Sequence, residues 1–144
     1  MNIKQISVFV ENKKGRLAEI TEALAKAKVD IRALSIADTT DFGILRLIVD
    51  KPDDAAVALK ELGVTVSITN VIAIGIEDAP GAFSVPMRLL ADAGIDVEYM
   101  YAFITRKSER AYVILRVNDN DIAAKILIDK GVELLDEDGF HALM

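Results

Sequence analysis

From Ile3 to Val10 the chain alternates, with Ile6, Val8 and Val10 on one side and Gln5, Ser7 and Phe9 on the other. That period of two is the signature of a β-strand with one buried face. Beyond a loop through Gly15 the spacing changes: Leu17, Ile20, Leu24 and Ala27 recur at steps of three and four. They share one face of an amphipathic helix that closes near Lys28. Two β-rich runs follow, DIRALSIAD and GILRLIVD, joined through Thr39, Thr40 and Asp41 in a polar hairpin turn. Pro52 suits the first position of a second helix, with Asp53 and Asp54 in its first turn and Gly63 at its end. The strand VTVSIT then leads almost directly into NVIAIGIE.

The same order now returns. Glu11 to Ile36 reappears as Glu77 to Ala102, with Gly15 matched to Gly81, Leu17 to Phe83, Leu24 to Leu90, Asp30 to Asp96 and Ile31 to Val97. Further on, the run from Ile44 answers to that from Tyr112, and Gly63-Val64 to Gly131-Val132. The register there has slipped by about two residues, which places an insertion in the hairpin around Arg106 to Arg110, where a surface loop absorbs it. The chain is therefore expected to hold two βαββαβ units, residues 1–68 and 69–144, with no flexible linker. Crossover rules fold each into an α+β, ferredoxin-like unit: an antiparallel four-stranded sheet with both helices on one face. Ile6, Val8, Leu45, Leu47 and Val49 would face the helices, leaving Phe9, Ile44 and Ile48 on the open face. In the second copy Tyr99, Tyr101, Phe103, Tyr112 and Ile114 fall there. So much apolar and aromatic surface calls for a cover, and a homodimer or higher oligomer is the expected source.

Composition narrows the setting. The 144 residues are 52% hydrophobic and 28% charged, which fits a globular chain. A net charge of −6 disfavours nucleic acid or an anionic membrane as a partner. There is no cysteine, hence no disulfide, thiol nucleophile or thiolate metal site. No apolar run reaches membrane-spanning length and the N-terminus enters a strand pattern at once, so a cytoplasmic location is expected.

Chemistry concentrates at the strand-to-helix loops, ENKKGRL from Glu11 and EDAPGAF from Glu77. Such a turn offers free backbone N–H groups and the positive end of a helix dipole, and glycine lets a ligand or a second backbone come close. Pro86, five positions past Gly81, cannot donate to a carbonyl near Ala82, so the second copy's first helix must start late or irregularly. Enzyme readings find little support. The single histidine, His141, follows Asp136-Glu137-Asp138-Gly139 with no nucleophile or metal partner near it in sequence, and neither a phosphate-binding lysine loop nor a dinucleotide glycine fingerprint is present. No catalytic residue, metal site or cofactor is expected. Sheet aromatics suggest RNA stacking as a rival, but Ala73 and Gly75 occupy the strand where the platform belongs, in an acidic protein.

The glutamate, Pro80-Gly81, the bulky residue two positions past the glycine and the downstream AGIDVEYM resemble the ACT domain, a regulatory module; in the first copy KVDIRALSI plays the same part. The resemblance covers nearly the whole chain twice, as in a tandem ACT domain protein. It implies binding of a small metabolite, usually a free amino acid, where two such domains meet. Contacts would come from the loop of one domain and strand two of its neighbour. Carried over, the loops supply Asn12, Lys13, Lys14, Gly15, Arg16 and Leu17 in the first copy. The second copy supplies Asp78, Ala79, Pro80, Gly81, Ala82 and Phe83. The facing strands supply Leu34 and Ser35, with Met100 and Tyr101. Lys14 stands where the family usually has proline, and the first loop is basic while Asp78 makes the second acidic, so the pockets need not be equivalent. Asp78 with Tyr99 and Tyr101 would suit a cationic or imidazole side chain. A stand-alone amino-acid sensor is the first expectation. A regulatory subunit contacting a metabolic enzyme is the alternative, and a purely structural dimerisation module the third.

Overall fold

The computed structural model describes residues 1–38, 41–103 and 105–144. Thr39 and Thr40 of the expected hairpin turn lie outside them. Along the chain run β1 (Ile3–Glu11), α1 (Arg16–Lys26), β2 (Ile31–Asp38), β3 (Phe42–Val49), α2 (Pro52–Glu61) and β4 (Thr65–Ile76). They are followed by α3 (Ser84–Asp92), β5 (Val97–Phe103), β6 (Ala111–Val117), α4 (Asn120–Asp129), β7 (Glu133–Leu135) and α5 (Glu137–Ala142). The chain divides into two compact units: Lys4–Thr69, the first repeat, and Asn70–Met144 together with Met1–Ile3, the second.

In the first repeat the strands lie in the order β2, β3, β1, β4. The antiparallel register sets Ile6 opposite Leu47 and Val8 opposite Leu45, so these side chains share a face. On it Ile20 and Leu24 of α1 and Ala55 and Leu59 of α2 complete the core. Burying one such Leu or Ile contributes about 1.5–3 kcal/mol, against tenths for an exposed helix pair, so packing rather than propensity locates the helices. The second repeat repeats this: β5, β6, β4 and β7 form its sheet, and Ile72, Ile74, Val113, Leu115 and Val117 pack with Leu90 of α3 and Leu127 of α4. The α+β fold and its helix-facing residues are as the periodicity indicates.

Four features depart from the pattern. Two strands expected on either side of the repeat boundary form the single strand β4. Strand β1 is buried on both sides from Gln5 to Val8, because Gln5 and Ser7 are buried along with Ile6 and Val8, and Gln5 Nε2 donates to Ser7 Oγ at 3.2 Å. Leu17 is 45% exposed although its spacing matches Ile20 and Leu24, because it sits in the first turn of α1 at the rim of the core. Helix α3 is not among them: it begins late, at Ser84, as Pro86 requires, whereas α1 begins at Arg16, which aligns with Ala82. The late start puts Pro86 in the first turn, where a missing N–H costs no helical hydrogen bond.

The last departure is α5. Asp136 caps it by accepting from the Gly139 N–H, and the helix drives Phe140 into full burial. The Phe140 ring centroid lies 4.8 Å from that of Phe103, which in turn stacks on Tyr112 at 5.6 Å. Phe103 and Tyr112 belong to the face away from α3 and α4, so the second repeat supplies part of the cover that the sequence seemed to require from another chain.

The helix ends show what a duplicated backbone demands. After α3, Gly94 takes φ +73°, and the Ile95 N–H donates to the Leu90 carbonyl at 2.9 Å. After α1 the same left-handed position falls on Lys28, φ +58°, with Val29 donating to Leu24 at 3.0 Å. A side chain there costs about 1–2 kcal/mol relative to glycine, part of which the looser unfolded chain of a glycine variant gives back. Lys28→Gly is therefore expected to raise unfolding free energy by about 1 kcal/mol, and Gly94→Ala to lower it by about as much, in urea melts. A destabilised Lys28→Gly would show that this backbone is not strained.

Candidate functional site

Both strand-to-helix loops turn on a glycine in the left-handed region, Gly15 at φ +83° and Gly81 at φ +82°. In the first, the Arg16 N–H donates to the Lys13 carbonyl at 3.2 Å and Glu19 to Gly15 at 3.0 Å. In the second, Ala82 donates to Ala79 at 3.2 Å, and the Ser84 hydroxyl caps Gly81 at 2.7 Å. A Cβ on either glycine would meet nothing within 4 Å. These positions call for glycine by backbone angle, while the space above each is open to a guest.

The charges of the first loop are engaged locally. Lys13 Nζ lies 2.9 Å from Glu11 and Arg16 Nη1 2.8 Å from Glu19. Asn12 is tied to the β2–β3 hairpin, its N–H donating to the Asp41 carbonyl and its side chain to Asp38. The Lys13 hydrogen bond, and then its charge, hold the Glu11 carboxyl below the ordinary glutamate range.

Beside each loop lies a cavity, in matching places. In the first repeat Phe9 and Glu11 at the end of β1, Arg16, Phe42 at the start of β3 and the Gly63-Val64 turn enclose about 120 Å³. In the second, Gly75, Glu77, Ala82, Arg110 and the Gly131-Val132 turn occupy the aligned positions, and Val85, Pro86 and Lys130 extend a cavity of about 290 Å³. The exchange of Arg16 for Ala82 removes a long side chain from the lining, whereas at Gly75, the counterpart of Phe9, the vacated space is taken by the Glu133 carboxylate and the Tyr112 ring. The Phe42 position becomes Arg110, whose Nε pairs with Glu133 at 2.9 Å and whose Nη2 donates to the Gly75 carbonyl at 3.1 Å. A side chain at Gly75 would run into the Glu133 carboxylate and the Tyr112 ring, so glycine is what lets this pair close over the strand.

Of the residues carried over from the resemblance, Arg16 and Ala82 line these cavities. Lys13, Lys14, Asp78, Ala79 and Pro80 are exposed along the loops, and Phe83 packs toward the second core. Leu34, Ser35, Met100 and Tyr101 lie on β2 and β5, at the far edge of each sheet from these loops. Gly75, Arg110, Lys130 and Glu133 were missed. Their signal was the mismatch between copies, Phe9 against Gly75 and Phe42 against Arg110, rather than any likeness. His141 stacks edge-on against Phe140 at 5.7 Å, a packing role.

One titration probes the first loop. Followed by NMR, the Glu11 side chain should titrate below the usual glutamate range, and Lys13→Met should restore it. Because the folded-state value is depressed, its small stabilising effect is present at neutral pH and fades as pH falls through that lowered midpoint. An unchanged midpoint in Lys13→Met would contradict the pairing.

Known proteins place this geometry. No curated protein matches the sequence. Protein BT0572 from Bacteroides thetaiotaomicron, solved by crystallography, is 42% identical, superposes with a TM-score of 0.92, and the match covers 99% of this chain and 98% of that one. The regulatory subunit of aspartate kinase from Thermus thermophilus, in ligand-free form, shares the fold at 17% identity and TM-score 0.65, over 89% of this chain and 92% of that one. That from Thermus flavus does so at 16% identity and TM-score 0.62, over 90% and 92%. The family profile described as an ACT domain pair matches residues 1–144, and the chain belongs to that family of regulatory domains.

Proposed function

We propose that this protein is a non-enzymatic sensor that binds a free amino acid beside its strand-to-helix loops and regulates amino-acid metabolism. The observation that carries the reading is the recurrence of a cavity beside the same loop in both repeats, each loop turning on a left-handed glycine whose Cβ position is open. The functional units are the two ACT domains, residues 1–68 and 69–144, working in the cytoplasm as a homodimer. Exposed apolar side chains support the dimer: Leu34, Ile36, Phe42 and Met100 are each at least 47% exposed, with Leu34 and Ile36 on the same edge strand. Leu34 and Met100 fall at aligned positions on the edge strands, where a neighbouring copy would bring them toward the loop residues Asn12 to Leu17 and Asp78 to Phe83.

The alternative is a regulatory subunit that contacts a metabolic enzyme directly, with little ligand binding of its own. What favours it is the shared fold with the regulatory subunit of aspartate kinase from Thermus thermophilus, along nearly the whole of both chains. Co-purification with an enzyme and indifference to amino acids would select this reading.

A thermal-shift panel of the twenty proteinogenic amino acids decides. A ligand bound only to the native state adds RT ln(1 + [L]/Kd), about 2.7 kcal/mol at a hundredfold excess, which moves a melt by several degrees. At least one amino acid should do so. Gly81→Val would cost about 1–2 kcal/mol through backbone strain alone, so the binding test is Gly81→Asn, which tolerates the left-handed angle and fills the open space. It should weaken the response tenfold or more while the unliganded melt stays within a few degrees. No response to any amino acid at millimolar concentration would reject the sensor.

A further inference from the structure

We infer that ligand binding is confined to the second repeat, whose cavity takes one amino acid with a small aliphatic side chain per chain, its carboxylate held by Arg110. This rests on the sensor reading and narrows it to a site and a ligand class. Where the family resemblance places the ligand between two domains, this cavity is built by one unit alone.

Size separates the two matching cavities first. Ligand pockets generally begin near about 300 Å³. The second cavity, about 290 Å³, lies just under that size, room for a small guest, while the first, about 120 Å³, falls well short. Arg16, held by Glu19 at 2.8 Å, fills the place where the second repeat has the small Ala82.

Charge comes next. The rim of the second cavity carries Arg110 and Lys130 as cations and Glu77 as an anion, with the Glu133 carboxylate paired to Arg110 behind it. Two positive and two negative groups balance, which suits a zwitterion of zero net charge rather than an acidic or basic amino acid. Arg110 is oriented by Glu133 at 2.9 Å and by the Gly75 carbonyl at 3.1 Å. These contacts use two of the five guanidinium N–H donors and leave others for an incoming carboxylate. The ligand's ammonium then meets Glu77. In the first repeat Phe42 stands in place of Arg110, and the guanidinium that does line that cavity, Arg16, takes up the room itself while paired to Glu19.

The remaining wall selects the side chain. Val85, Pro86 and Val132 are apolar, and burying one methylene on them is worth about 0.8 kcal/mol. Asp78, Tyr99 and Tyr101, on which a preference for a cationic or imidazole side chain rested, do not line this cavity.

The test is isothermal titration of the full chain with L-alanine, L-valine, L-leucine and L-isoleucine, and with L-lysine, L-histidine and L-glutamate as charged comparators. One aliphatic ligand per chain is expected, bound at least tenfold more tightly than any charged one. Arg110→Gln should weaken it tenfold or more, and Lys125→Ala, exposed on α4 outside the cavity, should leave it unchanged. Because Arg110→Gln also breaks an ion pair, Val85→Glu serves as a second variant: Val85 is 56% exposed in the first turn of α3, where a carboxylate suits the helix dipole, yet it puts charge on the apolar wall. It should abolish aliphatic binding with an unchanged melt. Two ligands per chain, preference for a charged amino acid, or indifference to Arg110→Gln and Val85→Glu would each overturn the inference while leaving the sensor standing. No binding of any amino acid would overturn both.

Discussion

A four-stranded sheet that takes both of its helices on one face must solve its other face by separate means, and the rest of this molecule follows from that constraint. On the helix side the solution is the ordinary one, a layer of Ile, Leu and Val in register across the strands. On the opposite side of the second repeat it is a six-residue helix at the end of the chain, whose one large apolar side chain, Phe140, closes on Phe103 and Tyr112. Tyr112 in turn borders Gly75, and its hydroxyl reaches Ser108 Oγ at 3.0 Å in the hairpin that carries Arg110. The covered face and the cavity are thus built on the same strand ends.

Duplication has copied the backbone and released the side chains. Left-handed glycines recur at Gly15 and Gly81 and at Gly63 and Gly131, because the turn angle admits little else. Lys28 against Gly94 is the exception, and it lies away from either cavity. At the cavities the copies part, Phe9 against Gly75, Arg16 against Ala82, Phe42 against Arg110. Divergence in a pocket's lining, on a shared chain path, is how two equal folds acquire unequal chemistry.

The fold was largely legible because two periods and an internal alignment pointed to the same order of elements. Pro86 even announced the late start of α3, since a missing N–H is tolerated only in a first turn. The merger of two strands into β4 was not legible, because nothing in Thr69-Asn70 marks a break or forbids one. Nor was α5, whose Asp136-Glu137-Asp138-Gly139 reads as a polar tail until Phe140 is seen to be buried. The glycine loops could be found from sequence, but the cavities beside them could not. Their walls come from four elements distant along the chain, and a guanidinium at position 110 acquires meaning only when β6 and β7 bring it beside Glu133 over Gly75.

Amide chemical-shift mapping of the intact chain with a saturating aliphatic amino acid tests the central claim, that one repeat senses and the other is closed. The account predicts large shifts at Gly75 to Pro86, at Arg110 and at Lys130 to Val132, with Glu11 to Leu17 and Gly63 to Thr65 little changed. Comparable shifts at both loops, or shifts confined to the first, would contradict it.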